Sequence, residues 1–551
     1  MGNLKWWQKT IVYQIYPKSF CDSNGDGIGD LQGIISKLDY LQSLGVGAIW
    51  LCPIYPSPLV DNGYDISDYC AIAPEYGTME DMDELLSSAK KRNIKIIMDL
   101  VFNHTSDKHA WFTKSKSSLD NDKRDWYIWR DGKDGKPPTN WRSIFGGSAW
   151  TLDTKTNQYY LHTFAKEQPD LNWENPKVRE ALYSAANFWL DKGVGGFRID
   201  AIVYIKKPAQ FTDLAADGPD GLANIAKADG NQAGILDFLQ EFKAKVFNRG
   251  DIFTVAEADG VFPEEYDKWI GSNGAFDMSF DFSHIRLGFN DDYIWFKRKP
   301  WKLIDIRECL TKDEQATEKD GWVPIFFENH DLPRSVDYYF PEEADKQLVA
   351  KFLATLLLTL RGTPFIYEGQ ELGMTNIKWP SIKMYEDISS KGQYELAIKS
   401  GMTKKEAMNF VWQYSRDNAR SPMTWNSGAH AGFTTGKPWL PLNDEYPNIN
   451  VESELADEHS VLNYYRQLIK LRSEYKALVE GDYAELLSYS PGIYAYARHL
   501  ADEKIIVVAN TTAKIRGYKL PELNNATLLI SNYADEQPAV LRSYEVRVYK
   551  I

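Results

Sequence analysis

The chain has 551 residues, 43% hydrophobic and 25% charged, with a formal net charge of −14. That balance excludes a disordered or fibrous chain, and its acidity argues against nucleic acid or an anionic membrane as partner, because both demand basic surfaces. Four cysteines without close spacing (Cys21, Cys52, Cys70, Cys309) point to reduced thiols and not to a disulfide framework.

The opening MGNLKWWQKT lacks the apolar core of a secretory signal. No apolar run reaches membrane-spanning length, so the expected location is the cytoplasm. A first strand, IVYQIYP (11–17), leads into the loop DSNGDGIGD (22–30). There, alternating oxygen groups at Asp22, Asn24, Asp26 and Asp30, with the Ile28 carbonyl between, could wrap a hard cation. An EF-hand needs glutamate at its twelfth position, and Gly33 stands there, so the loop is not one. A solvated run of Asx turns is the alternative.

Seven further apolar runs follow: GVGAIWLCPI (45–54), IKIIMDLVF (94–102), GFRIDA (196–201), IFTVAEA (252–258), FDMSFDF (276–282), WVPIFFENH (322–330) and TPFIYEGQE (363–371). Continuous β-branched and aromatic runs of this length are what strands buried on both faces look like. Helical stretches such as MEDMDELLSSAKKR and KVREALYSAANFWLDKG lie between them, capped by Thr78 and Asn175. Eight strands alternating with helices predict a (β/α)8 TIM barrel. A doubly wound sheet would bring a Gly-rich phosphate loop, which is missing. The stretch 105–174 is too long for a structureless loop and predicts a small inserted domain after strand 3. After residue 478 the pattern changes to alternating strands, which predict a C-terminal antiparallel β-sandwich domain. The expected divisions are therefore barrel 1–104, insert 105–174, barrel 175–477 and β domain 478–551.

In such barrels functional groups sit at the carboxyl ends of strands. Those ends carry Asp99, Asn103 and His104; Arg198 and Asp200; Glu257; and Asn329, His330 and Asp331. A salt bridge explains any one of them, but not all on one rim. Several carboxylates around a pocket suit glycoside hydrolysis, in which one donates a proton and another attacks the anomeric carbon. Arg198 lies two residues before Asp200, on the same strand face, and is expected to hold Asp200 ionised. Glu257 follows an apolar run, whose dry surroundings are expected to keep it protonated. Eighteen Trp, 32 Tyr and 25 Phe add surfaces on which sugar rings stack, though large cores use aromatics too.

DLVFNH (99–104), GFRIDA (196–201), TVAE (254–257) and ENHD (328–331) resemble the four ordered motifs of glycoside hydrolase family 13, the α-amylase superfamily. QPDLNW (168–173), EGQELGMTN (368–376), SRDNARSPMTWN (415–426) and PWLPLNDEYPNINV (438–451) resemble its oligosaccharide α-glucosidase branch, which includes oligo-1,6-glucosidases. The resemblance implies Asp200 as nucleophile, Glu257 as acid/base and Asp331 as a third carboxylate gripping sugar hydroxyls. It implies a retaining reaction through a glucosyl-aspartate. His104 and His330 would bond the glucose, Tyr64 would form a stacking floor, and Phe164 and Gln168 would line the same subsite. Asp61 and Arg416 resemble the pair that closes the pocket behind the non-reducing end, which implies release of one glucose at a time. The branch also implies a structural Ca²⁺ in the 22–30 loop, with Mg²⁺ possible, and no organic cofactor.

For substrate, the expectation is a small oligosaccharide acted on by a monomer or weak homo-oligomer. In relatives a valine after the nucleophile accompanies α-1,6 preference. Ala201 stands here and leaves more room, so the sequence leans to α-1,4-linked, maltose-like substrates. Glu328, where many α-1,6 enzymes carry asparagine, and Thr424, where glutamine is expected, also depart from the pattern. Isomaltose, sucrose and trehalose-6-phosphate are the alternatives. A non-catalytic relative, like the heavy subunits of amino-acid transporters, would have lost carboxylates that this chain keeps.

Overall fold

The structure, a computed structural model, describes residues 4–290 and 293–551. Eight strands form the core sheet: β1 (Val12–Ile15), β2 (Ala48–Leu51), β3 (Lys95–Val101), β4 (Gly196–Asp200), β5 (Phe253–Ala256), β6 (Met278–Ser279), β7 (Pro324–Ile325) and β8 (Thr363–Tyr367). All pair in parallel, in the order β6-β5-β4-β3-β2-β1-β8-β7. That β1 lies beside β8 wraps the sheet into a barrel, with the seam between the two shortest strands, β6 and β7. Every residue of β1, β2, β4 and β5 is buried, the two-sided burial that their unbroken apolar runs predict.

Helices cover the barrel. Met79–Lys91 follows β2; Thr78 caps it by accepting the Asp81 amide. Pro176–Lys192 precedes β4; Asn175 accepts the Lys177 amide, and Gly193 ends the helix in the left-handed region. One glycine is required by packing: a Cβ on Gly196 (φ +150°) would fall 1.9 Å from the Phe253 carbonyl oxygen. So β4 and β5 close on each other just where the strand that ends in Asp200 begins.

Between β3 and β4 a three-stranded antiparallel sheet (Trp129–Asp131, Trp150–Asp153 and Gln158–Leu161) builds a small unit over the rim. Its own core of Ile128, Trp141, Trp150 and Leu161 also takes in Ile225, because Ala223–Asn224 pairs with Trp141–Arg142. The chain after β4 thus returns to this unit. At the carboxyl end a five-stranded antiparallel sheet runs from Asp482–Leu486 to Val546–Lys550. Among the described residues no helix is long and apolar enough to cross a membrane.

Candidate active site

The carboxyl ends of β3, β4 and β5 converge on one guanidinium. Arg198 donates from Nη1 to Asp200 Oδ1 at 2.7 Å and to Asp99 at 2.8 Å, and from Nη2 to Glu257 Oε2 at 2.7 Å. Asp99 also accepts from Tyr64 Oη and Trp50 Nε1. Glu257 Oε2 accepts the Ala201 amide as well, at 2.9 Å. Ala201 reaches that position in the left-handed region (φ +44°), a conformation that costs a non-glycine residue about 1 kcal/mol. The strained turn after Asp200 therefore aims an N–H at Glu257. Asp200 and Glu257 thus hang from the two terminal nitrogens of one side chain.

The electrostatics correct one expectation. Burial pushes the Asp200 carboxyl well above its ordinary range, against the pull of Arg198 and with Glu257 adding to the rise. Glu257 is raised by the same burial, again opposed by Arg198, as the dry surroundings of β5 predict. Burial raises Asp99 too. Arg198 does not make Asp200 a fixed anion by itself, because one guanidinium serves three buried carboxylates. Ionising all three would leave two charges uncompensated. Asp200 and Glu257 are therefore displaced upward together, as a coupled pair around one cation.

Asp331 has the opposite environment. Burial alone would raise it, yet His330, Arg416 and Arg420 hold it well below the usual carboxylate range. Arg416 and Arg420 bond its Oδ1 at 3.0 and 2.8 Å. His330 is buried, and that burial lowers its pKa, opposed by Asp331. Gln14 donates to its Nδ1 at 2.7 Å, which leaves the Nε2–H on the side of Asp331, 3.0 Å away. Tyr64 stacks on His330 with ring centroids 5.1 Å apart and planes within 8°. His104, likewise lowered by burial, contacts the Tyr64 carbonyl at 3.0 Å and Phe164 at 5.3 Å between rings.

A cavity of about 610 Å³ opens on this rim, lined by Asp61, Tyr64, His104, Phe164, Asp200, Ala201, Glu257, Asp331 and Arg416 among others. Arg198, Gln168 and His330 stand buried behind its wall. Gln168 reaches Asp61 Oδ2 at 3.2 Å. Arg416 bonds Asp61 at 2.9 Å while its Nε holds Asp387 at 2.8 Å. The expected closing pair therefore meets, and Arg416 ties it directly to Asp331. The site residues expected from the sequence are thus brought together on one rim.

A model of the α-amylase catalytic domain matches residues 14–481. The chain belongs to the α-amylase family. It is 47% identical to a probable oligo-1,6-glucosidase of Bacillus subtilis (strain 168), over 99% of both chains. To a trehalose-6-phosphate hydrolase of the same organism it is 42% identical, over 99% of this chain and 98% of that one. The crystal structure of an isomaltulose synthase from Klebsiella sp. LX3 superposes with a TM-score of 0.94 at 44% identity, covering 100% of both chains. The protein is a glycoside hydrolase of the α-glucosidase type.

Within this α-amylase-family site, two residues weighed for linkage do not reach the cavity. Glu328 is buried against Arg334 at 3.1 Å and accepts the Ser335 amide. Thr424 bonds the Ile449 carbonyl. Sequence reasoning missed Gln14, Arg420 and Asp387; only Arg420 carried a signal, as the second arginine of SRDNAR. It also missed Lys207, whose buried ammonium bonds Asp170 at 2.6 Å, Asp229 at 2.8 Å and the Tyr204 carbonyl at 2.7 Å. In the 22–30 loop the side-chain oxygens curl the backbone: Asp22 accepts the amides of Asn24, Gly25 and Gly27, Asn24 that of Asp26, Asp26 that of Ile28, and Asp30 that of Ser23. Among the described residues no three carboxylate, imidazole or thiol side chains gather as a cation-binding cluster. The donor set is all oxygen, the chemistry a hard cation takes.

Proposed function

We propose that the protein is an exo-acting, retaining α-glucosidase that removes glucose from the non-reducing end of short α-linked gluco-oligosaccharides. The observation that supports this is the Asp61–Arg416–Asp331 chain in the cavity wall, a charged barrier expected to close the pocket behind the non-reducing end. In the first step Asp200 attacks the anomeric carbon while Glu257 gives its proton to the departing oxygen. In the second, water attacks the anomeric carbon while Glu257 takes its proton, and the bond to Asp200 breaks, which releases glucose with its α configuration. Asp331, kept ionised by its two arginines, accepts hydrogen bonds from the sugar hydroxyls. Asp200→Asn is the test: hydrolysis of 4-nitrophenyl α-glucoside is expected to fall about 10⁴-fold, and undiminished turnover would defeat the mechanism.

The names of the relatives give no support to the α-1,4 lean and favour terminal α-1,6 bonds, which we take as the principal substrate class. The room at Ala201, whose side chain lines the cavity, favours α-1,4 bonds as a second class. Comparing kcat/KM for isomaltose and maltose decides the order. For the loop 22–30 we propose a structural Ca²⁺ held by Asp22, Asn24, Asp26, the Ile28 carbonyl and Asp30, remote from the chemistry.

A further inference from the structure

The cavity extends past the catalytic pair, and its outer part is built from three segments that none of the family motifs contains. The first is Phe289 with Tyr293 and Trp295, after β6. The second is the helix Ile388–Lys399, and the third is the loop 143–147 of the inserted unit. The three are fastened together. Gln393 accepts the Trp295 amide at 3.2 Å and donates to the Tyr293 carbonyl at 3.2 Å. Gly392 brings the helix so near the loop that a Cβ there would lie 2.4 Å from the Phe145 oxygen. Phe289 and Tyr293 lie 6.1 Å apart at 30°, and Trp295 packs on Tyr414. Arg286, ion-paired to Asp259 two residues beyond the acid, sits over the Tyr293 ring at 5.4 Å. A wall of fixed rings thus begins beside Glu257, the group that protonates the departing oxygen.

The charge of this outer part is distinctive. In the outer part three acidic side chains, Asp220, Asp259 and Glu395, face two basic ones, Arg142 and Lys399. Arg142 is matched by Asp217 and by Asp220 at 2.8 Å, and Lys227 turns to Asp217 at 3.0 Å. Arg298 lies flat on Phe289, 3.5 Å from the ring centroid. Glu395 precedes Lys399 by one helical turn, on the same face. A phosphate needs an excess of cationic donors; this mouth offers no such excess.

From this, and resting on the glucosidase function proposed above, we infer that the outer cavity is an aromatic subsite for a neutral leaving sugar, with Trp295, Tyr293 and Phe289 as its platform, and that it rejects phosphorylated disaccharides. Sugar rings present apolar C–H faces that pack on aromatic rings, and fixed rings hold them at low entropic cost.

The test compares substrates with and without a leaving sugar. α-Glucosyl fluoride departs as a single atom and never occupies the subsite. Trp295→Ala and Phe289→Ala are each expected to lower kcat/KM on the better of maltose and isomaltose about tenfold, mostly through KM, while α-glucosyl fluoride hydrolysis stays within twofold. Trp295→Phe should restore most of the loss. The unaltered enzyme should cleave that disaccharide at least a hundredfold better than trehalose-6-phosphate. Equal losses on the fluoride and the disaccharide, or trehalose-6-phosphate as a good substrate, would overturn the inference. Failure of the unaltered enzyme to turn over the fluoride at all would instead defeat the glucosidase function itself.

Discussion

Arg198 donates to Glu257 at 2.7 Å, the same distance at which its other terminal nitrogen meets Asp200. A single cation thus holds both carboxyls, and burial displaces the titration of each upward.

The pH profile follows from that sharing. Burial raises both Asp200 and Glu257, so the singly protonated pair exists across a window displaced above the ordinary carboxylate range. kcat/KM is expected to trace a bell whose acid limb lies above pH ~4, where a solvated carboxylate titrates. Glu257→Gln should abolish the alkaline limb on a substrate with an activated leaving group. A profile with its acid limb at or below that value would contradict the buried, shared proton.

Stability against acid has a different owner. Asp331 is depressed in the folded state, so its contribution is full above the unfolded carboxylate value and is lost as pH falls below it. Asp200 and Glu257, being raised, contribute in the other sense: their share is full at low pH and is lost as pH rises through their folded values. Asp331→Asn is therefore expected to flatten the fall in Tm between about pH 5 and pH 2, measured by calorimetry. An unchanged slope would show that another group governs acid unfolding.

Opening the closed end should alter what the enzyme releases. Asp61→Ala removes one partner of Arg416 and the neighbour of Gln168. Loss of a charged partner at a sugar site typically costs 2–5 kcal/mol, so kcat/KM on disaccharides should fall by about 30-fold or more. With maltotetraose as substrate, products longer than glucose should appear from the non-reducing end. Glucose alone, released at the original rate, would mean that this pair does not close the pocket.

Ala201 tests linkage. Replacing it with valine fills the space after the nucleophile but places a β-branched residue at φ +44°, a strained position for that side chain. Ala201→Val is expected to cut maltose hydrolysis more than isomaltose hydrolysis, by about tenfold in the ratio, and to lower Tm by a few degrees. Equal losses on both disaccharides would remove Ala201 from the control of linkage.

The 22–30 loop gives a metal-removal experiment. If Ca²⁺ is held there, dialysis against EDTA lowers Tm and added Ca²⁺ restores it, while kcat at 25 °C is unchanged because the loop stands apart from the carboxylates. Asp26→Ala should erase the response. An identical melting curve with and without EDTA would leave the loop as Asx turns alone.

The fold and the carboxylates gathered on the rim were legible because both are local signals. Unbroken apolar runs mark strands buried on two faces, and in a barrel the residue that ends such a run faces the rim. Asp200, Glu257 and Asp331 follow directly. The sharing of Arg198 was not legible: strand alternation shows that Arg198 and Asp200 face the same way, but not that Asp99 and Glu257 arrive from both neighbouring strands. Glu328 misled for a related reason. It is the first residue of the motif ENHD, yet its side chain turns inward to Arg334. The outer wall of Phe289, Tyr293 and Trp295 gave no signal, because loop residues acquire a role only when the helix Ile388–Lys399 and the inserted unit are laid against them.

The buried ammonium of Lys207 has a mechanical consequence. It joins the chain just after the nucleophile to Asp170 beneath the inserted sheet, so that sheet is riveted to the barrel from inside. Heating should melt the two as one event, and a protease that nicks the exposed tip near Gly135 should leave both pieces clasped and the enzyme working.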